Sequence, residues 1–171
     1  MKPRLAVVAL IAALLTGCGF HLRGALNLPE HLGPVRVLAS DHASPLGDLL
    51  ADGLRRAGAQ AATAADGDNV ATLEVVSEHW ADTPISNDPF GRAQEYMVRY
   101  AVVFTLRRAD GRVAVPQQAV ELSRDYLTPA LDSVGRLSER ERLVDELQKE
   151  MARAILRRVD AVTTSKEEVV Q

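Results

Sequence analysis

The sequence predicts an α+β protein, a two-layer sandwich in which two helices pack on a four-stranded mixed sheet in the order β-α-β-β-β-α. Three observations carry that prediction. Apolar residues recur at spacings of three and four around Leu46–Ala57 and again around Leu143–Val162, the signature of two amphipathic helices. Between them, Tyr96, Val98, Tyr100, Val102, Phe104 and Leu106 alternate with Met97, Arg99, Ala101, Val103, Thr105 and Arg107, which is the period of a strand. Asp110-Gly111 then supplies hairpin chemistry for an antiparallel return.

The chain opens with Lys2 and Arg4, followed by an apolar run from Leu5 to Leu15. That run is too short for the ~20 residues of a bilayer span and has the length of a secretion-signal core. Residues 1–17 therefore read as a removed leader. Thr16-Gly17 supply the small residues that a peptidase groove accepts, and the mature chain begins at Cys18, the only cysteine. A lone thiol has no disulfide partner within the chain. Leu15-Thr16-Gly17-Cys18 resembles the lipobox of bacterial lipoproteins. That resemblance implies a diacylglycerol thioether on Cys18, an acylated amino terminus, and a lipid anchor stronger than one chain provides. Gly19 stands where inner-membrane-retained lipoproteins carry Asp, which by the same analogy implies the outer membrane, facing the periplasm.

Residues 18–34, with Pro29, Gly33 and Pro34, read as a tether, and residues 35–162 as the folded domain. Val35–Ala39 is a short strand bounded by turn residues. Ser44-Pro45 begins the first helix, since Ser accepts an orphan N–H and Pro suits the first helical position. Leu46, Leu49, Leu50, Leu54 and Ala57 form its apolar face, and Gly58 ends it. After a loop over 61–69, Ala71–Trp80 reads as the second strand, parallel to the first through a βαβ crossover. Ala81–Gly91 holds Pro84, Asn87, Asp88, Pro89 and Gly91 and is expected to be an irregular loop. The long alternating strand follows. Its return runs from about Arg112 to Tyr126, with Pro116 marking an irregularity or an edge. The last helix buries Leu143, Leu147, Met151, Ala154, Ile155, Val159 and Val162. Ser138–Glu141 fits a capping box, with Asp132 or Ser133 as an earlier start. Residues 163–171 are polar and expected to be disordered.

Without the leader the chain carries 18 basic and 23 acidic residues, taking the net charge from −3 to −5. An acidic chain is a poor candidate for nucleic-acid binding by phosphate neutralisation. His21, His31, His42 and His79 are not at metal-ligand spacing, and no phosphate loop or nucleophile elbow is present. No metal or cofactor is expected. The acidic residues of the last helix, Glu139 to Glu150, alternate with basic ones as on a solvated face. The chemistry points to binding or scaffolding rather than catalysis.

Gly17-Cys18-Gly19-Phe20-His21-Leu22-Arg23, Gly91 with Glu95-Tyr96, and Ser123-Arg124 leading through Pro129 into the last helix resemble the LPS-assembly lipoprotein LptE (RlpB) family. The likeness spans the whole mature domain. It implies two helices on a four-stranded sheet, residence as a plug that supports the LptD β-barrel, and a part in lipopolysaccharide transport to the outer surface. It also implies contact with lipid A phosphates, for which arginine forks are suited. Arg92 and Arg136 are the leading candidates, and Arg99, Arg107, Arg108 and Arg112 the weaker ones. Trp80, Ile85 and Phe90 are the candidates for barrel contact. An accessory subunit of another envelope transport or secretion complex would share every compositional feature and differ only in partner.

Overall fold

The computed structural model describes residues 33–41, 43–127 and 133–168. The leader, Cys18, all of the tether but Gly33-Pro34, His42 and Pro129 lie outside the described residues. Strand β1 spans Val35–Leu38, α1 Leu46–Arg56, β2 Ala71–Asn87, β3 Ala93–Arg107, β4 Val113–Leu127 and α2 Ser133–Glu168. The four strands form one mixed sheet in sequential order. β1 runs parallel to β2, while β2–β3 and β3–β4 are antiparallel. The expected order, crossover and layering are all present.

The register explains the core. The even-numbered face of β3 is inside: Val98, Tyr100, Val102 and Phe104 are fully buried. Leu73 and Val75 of β2 stand opposite Leu106 and Phe104 on that face. A bulge then intervenes between Val75 and Ser77. The extra residue, Val76, reverses the parity, so that beyond it Glu78, Trp80, Asp82 and Pro84 oppose Val102, Tyr100, Val98 and Tyr96.

β2 therefore continues through most of the segment expected to be a loop. Pro84 pairs with Tyr96 where β2 has lost β1 as its other neighbour, an edge setting that tolerates proline, and a second irregularity lies between Pro84 and Ser86. Only the turn at 88–92 separates β2 from β3. Pro116 fits its expected context, an edge strand at a register shift between the Phe104–Gln118 and Leu106–Val115 pairs.

α1 buries Leu46, Leu50, Gly53 and Leu54. The Leu46 N–H donates to Ser44 Oγ at 3.3 Å, and beyond the helix the Ala59 N–H donates to the Leu54 carbonyl at 3.0 Å, with Gly58 at φ +85°. In α2, Leu143, Leu147, Met151, Ala152, Ile155, Leu156 and Val159 are buried, while Ala154 and Val162 pack at the margin. The helix starts at Ser133, the earlier of the expected starts, and carries on to Glu168, about 54 Å. The polar stretch from Thr163 is thus helical to Glu168 rather than a free tail. Thr163 itself is buried, its Oγ1 donating to the Val159 carbonyl at 2.8 Å.

The helices cross at Gly53, where a Cβ would lie 2.2 Å from Leu156 Cδ1. Gly53→Ala gains about 1 kcal/mol of helix propensity but overpacks a buried contact, at a cost of about 1–3 kcal/mol. The expected outcome is net destabilisation, which urea denaturation measures, and less than additive loss when Gly53→Ala is combined with Leu156→Val. Equal or higher stability of Gly53→Ala would show that the crossing has room.

Candidate functional site

The arginine candidates divide between the two ends of the sheet. At one end, β2 turns into β3 through Asp88-Pro89-Phe90-Gly91-Arg92. The Asp88 N–H donates to the Arg92 carbonyl at 2.8 Å and the Gly91 N–H to the Asp88 carbonyl at 2.9 Å, with Gly91 at φ +77°. Asp88 Oδ1 accepts the N–H groups of Phe90 and Arg92 at 2.8 and 2.9 Å. Its Oδ2 accepts Arg92 Nε at 2.7 Å. The Arg92 guanidinium lies 5.4 Å from the centroid of the Phe90 ring. Phe90 is 83% exposed, and Ile85 is half-exposed.

Arg136 belongs to the first turn of α2, and its side chain lies outside the described residues. One turn further on, Arg140 donates to Asp82 through Nε and Nη2, at 3.2 and 2.7 Å to its two oxygens. Tyr126 Oη donates to Asp82 Oδ1 at 3.2 Å. This joint ties α2 to β2 and β4 near Arg136. Trp80, expected beside a loop, lies within β2 and is partly buried. Its ring stacks on Tyr100 at 3.8 Å and 7°, so one face is committed to the domain's own core.

The remaining arginines are elsewhere. Arg99 lies on the open face of the sheet with its Nε 3.7 Å from Glu121 Oε1. Arg107 closes β3 at the opposite end, beside the turn that carries Arg108 and Arg112. Arg112 pairs with Asp110, Nε to Oδ2 at 2.6 Å, whereas Arg107 and Arg108 make no ion pair among the described residues. The structure thus places Arg92 and the backbone of Arg136 toward one end and Arg107, Arg108 and Arg112 at the other.

Under the sheet, Glu78 Oε2 accepts hydrogen bonds from Tyr100 Oη at 2.5 Å and Ser44 Oγ at 2.8 Å. Burial, then the Glu78 carboxylate, pushes the Tyr100 phenol well above its ordinary range. A groove of about 330 Å³ between β1 and α1 is lined by Val35, Val37, Ser44, Gly47, Ala51 and Leu54 among others, and holds none of the candidate ligand- or barrel-contact residues. Among the described residues no cluster of His, Cys, Asp or Glu is arranged to hold a metal. Sequence reasoning missed Asp88, the Asp82–Arg140 joint and the Ser44–Glu78–Tyr100 network. Asp88 had a readable signal, because Asp at the first position and Gly at the fourth are type I turn preferences.

The strand order and the helix layer define a small two-layer α+β domain, a fold also seen in solved bacterial lipoproteins. The lipoprotein B structure from Nitrosomonas europaea superimposes with a TM-score of 0.70 at 25% identity, covering 88% of this chain and 96% of that one. The rare lipoprotein B structure from Shewanella oneidensis gives 0.68 at 23% identity, covering 79% and 99%. In sequence, the LPS-assembly lipoprotein LptE of Pectobacterium atrosepticum is 26% identical over 98% of this chain and 91% of its own length. The family model "LptE: Lipopolysaccharide-assembly" matches residues 32–159. The chain belongs to the LptE family.

Hydrogen bonding gives the domain an acid limit. Asp88 is held below the ordinary carboxylate range, first by the Arg92 backbone N–H, and Asp66 likewise by Thr63. The side chains of Arg112 and Arg142 do the same for Asp110 and Glu139. A carboxylate with a depressed folded pKa adds stability above its unfolded pKa and loses it as pH falls through the folded value. Stability is therefore expected to be flat from pH 7 to 5 and to fall below about pH 4. Urea titrations across that range measure it, and a decline beginning above pH 5 would point to different groups.

Proposed function

We propose that this protein is an outer-membrane lipoprotein anchored through acylated Cys18 on the periplasmic side, that it plugs and supports the LptD β-barrel, and that it takes part in lipopolysaccharide transport and assembly at the cell surface. The observation that carries the reading is the LptE family match over residues 32–159, nearly the whole folded domain. The physical chemistry supports it. A closed domain whose helix layer presents ion pairs, such as Glu139–Arg142–Glu146 and Asp145–Lys149, is compatible with a polar barrel lumen. The role assigned is binding and support, without a reaction of its own.

Lipopolysaccharide contact is assigned to Arg92 and Arg136. Arg99, already facing Glu121, and Arg107, at the opposite end, are secondary. Barrel contact is assigned to Ile85 and Phe90, with Trp80 contributing only the part of its ring that Tyr100 leaves uncovered.

Charge reversal of Arg92 and Arg136 together to Glu is expected to weaken binding of purified lipopolysaccharide by at least about tenfold, since hydrogen bonds to charged groups contribute about 1.5–3 kcal/mol each, while co-purification with LptD is retained. Unchanged ligand binding would remove both residues from the site. Photo-crosslinking groups at Ile85 and Phe90 are expected to capture the barrel in cells. Absence of adducts from both, with capture from another position in the same protein, would move the contact elsewhere.

A further inference from the structure

The turn that carries Arg92 has a neighbour built to the same backbone plan. At the other end of β3, the Arg108 N–H donates to the Arg112 carbonyl at 2.8 Å and the Gly111 N–H to the Arg108 carbonyl at 2.9 Å. These bonds repeat those of the turn at 88–92. Both turns place an arginine directly after a glycine of positive φ, and in both an aspartate accepts that arginine's N–H and Nε. They differ in the acid and its place: Asp88 opens its turn, where Arg108 stands in the other, whereas Asp110 takes the third position, that of Phe90. The Asp110 side chain is 45% exposed, whereas that of Asp88 is 4% exposed. Closing such a turn therefore does not demand a buried carboxylate.

Burying a charge is unfavourable unless its hydrogen bonds are made, and those of Asp88 are made in a particular way. Oδ1 is occupied by two backbone N–H groups of the turn, which fixes the carboxylate plane. Oδ2 is then left to take Arg92 Nε at 2.7 Å. The Arg92 side chain stays 63% exposed, and its two Nη groups have no hydrogen-bond partner among the described residues. Phe90 lies alongside the guanidinium. A flexible cation has become an oriented one, held at Nε and presenting its outer N–H pair, the edge that phosphate accepts bidentately.

We propose that Asp88 is a positioning residue for ligand binding, orienting the Arg92 guanidinium from beneath so that its Nη edge is presented to the phosphate of an amphiphile. The proposal rests on the reading that Arg92 contacts lipopolysaccharide, and it adds the residue through which that contact is prepared. Asp88 itself touches no ligand. Its negative charge opposes anion binding, so the contribution is geometric: it removes rotamer freedom that binding would otherwise have to remove.

The test uses the full-length lipidated protein in complex with its barrel, with purified lipopolysaccharide as the probe. Asp88→Asn keeps an oxygen for the two turn N–H groups and replaces the Nε acceptor with an amide that only donates. It is expected to weaken binding about three- to tenfold, the range for one immobilised long side chain. In the Arg92→Ala background the same change is expected to have no further effect, because Asp88 acts through Arg92. Asp110→Asn, which perturbs the matching turn, is expected to leave binding unchanged.

Unchanged or tighter binding by Asp88→Asn, alongside a clear loss from Arg92→Ala, would overturn the positioning role alone. An equal loss from Asp88→Asn with or without Arg92 would also overturn it, by showing that the acid serves only the turn. Unchanged binding by Arg92→Ala would overturn the proposal by removing the contact on which it rests, a result distinct from the other two.

Discussion

The single extra residue at Val76 governs how the upper half of this sheet meets its helices. Below it, Leu73 and Val75 face inward; above it, the inward positions pass to Glu78, Trp80 and Asp82. Each of those three makes a contact that joins elements. Glu78 receives Ser44 at the start of α1 and Tyr100 from β3. Trp80 stacks on Tyr100, and Asp82 receives Arg140 of α2 and Tyr126 of β4. Without the bulge, unbroken alternation would turn Ser77, His79 and Ala81 inward instead, and none of these contacts would have its partner. Val76 itself is 41% exposed, so an apolar residue is left outside in order to bring a polar joint inside.

That joint suits a domain whose two helices do different work. α1 lies against the short β1 and against α2, where the buried surface is aliphatic. The first turns of α2 reach past it to the level of Asp82 and Tyr126, where the sheet offers tyrosines and carboxylates instead. Hydrogen bonds specify geometry that hydrophobic burial leaves free, and in a partly buried setting an unpaired member would be costly. Arg140, bonded to both oxygens of Asp82, therefore fixes the beginning of a long helix that packing alone would hold mainly through Leu143 and beyond. The ion pairs on the outward face of α2 lie between residues three or four apart and contribute to helix solubility more than to docking.

Much of this was legible from residue order. The even face of β3, the apolar stripes of both helices, the βαβ crossover and the edge position of Pro116 all follow from periodicity and turn chemistry, because each is written in residues adjacent in the chain. The extension of β2 was not legible. Pro84, Asn87, Asp88 and Pro89 are strand breakers by local preference, and two register irregularities erase the alternation that would have argued otherwise. Pairing with β3 overrode propensity there, as tertiary context commonly does for strands. Asp82 and Arg140, separated by 58 positions, leave no local trace at all. For the candidate site, the family resemblance and a place at the head of the long strand singled out Arg92. Its orientation depends on an acid whose burial only the folded strand ends create.

The length of β3 also bears on how the proposed anchoring would work. The tether meets the sheet at Val35, in the row that contains Ala71 and, through Thr72, Arg107. The turn bearing Phe90 and Arg92 lies at the far end of the same 15-residue strand, about 50 Å away at strand rise. That distance exceeds the ~30 Å hydrocarbon thickness of a bilayer. A domain held at its Val35 end near the periplasmic leaflet, and standing along a barrel axis, would carry the Arg92 turn toward the level of the opposite leaflet. Lying across the axis, the same domain would keep both ends on one side. Strand length thus puts Val35 and the turn at 88–92 at opposite poles of the domain, and the distance between them is kept by β2–β3 pairing that continues through its register shifts rather than by either helix.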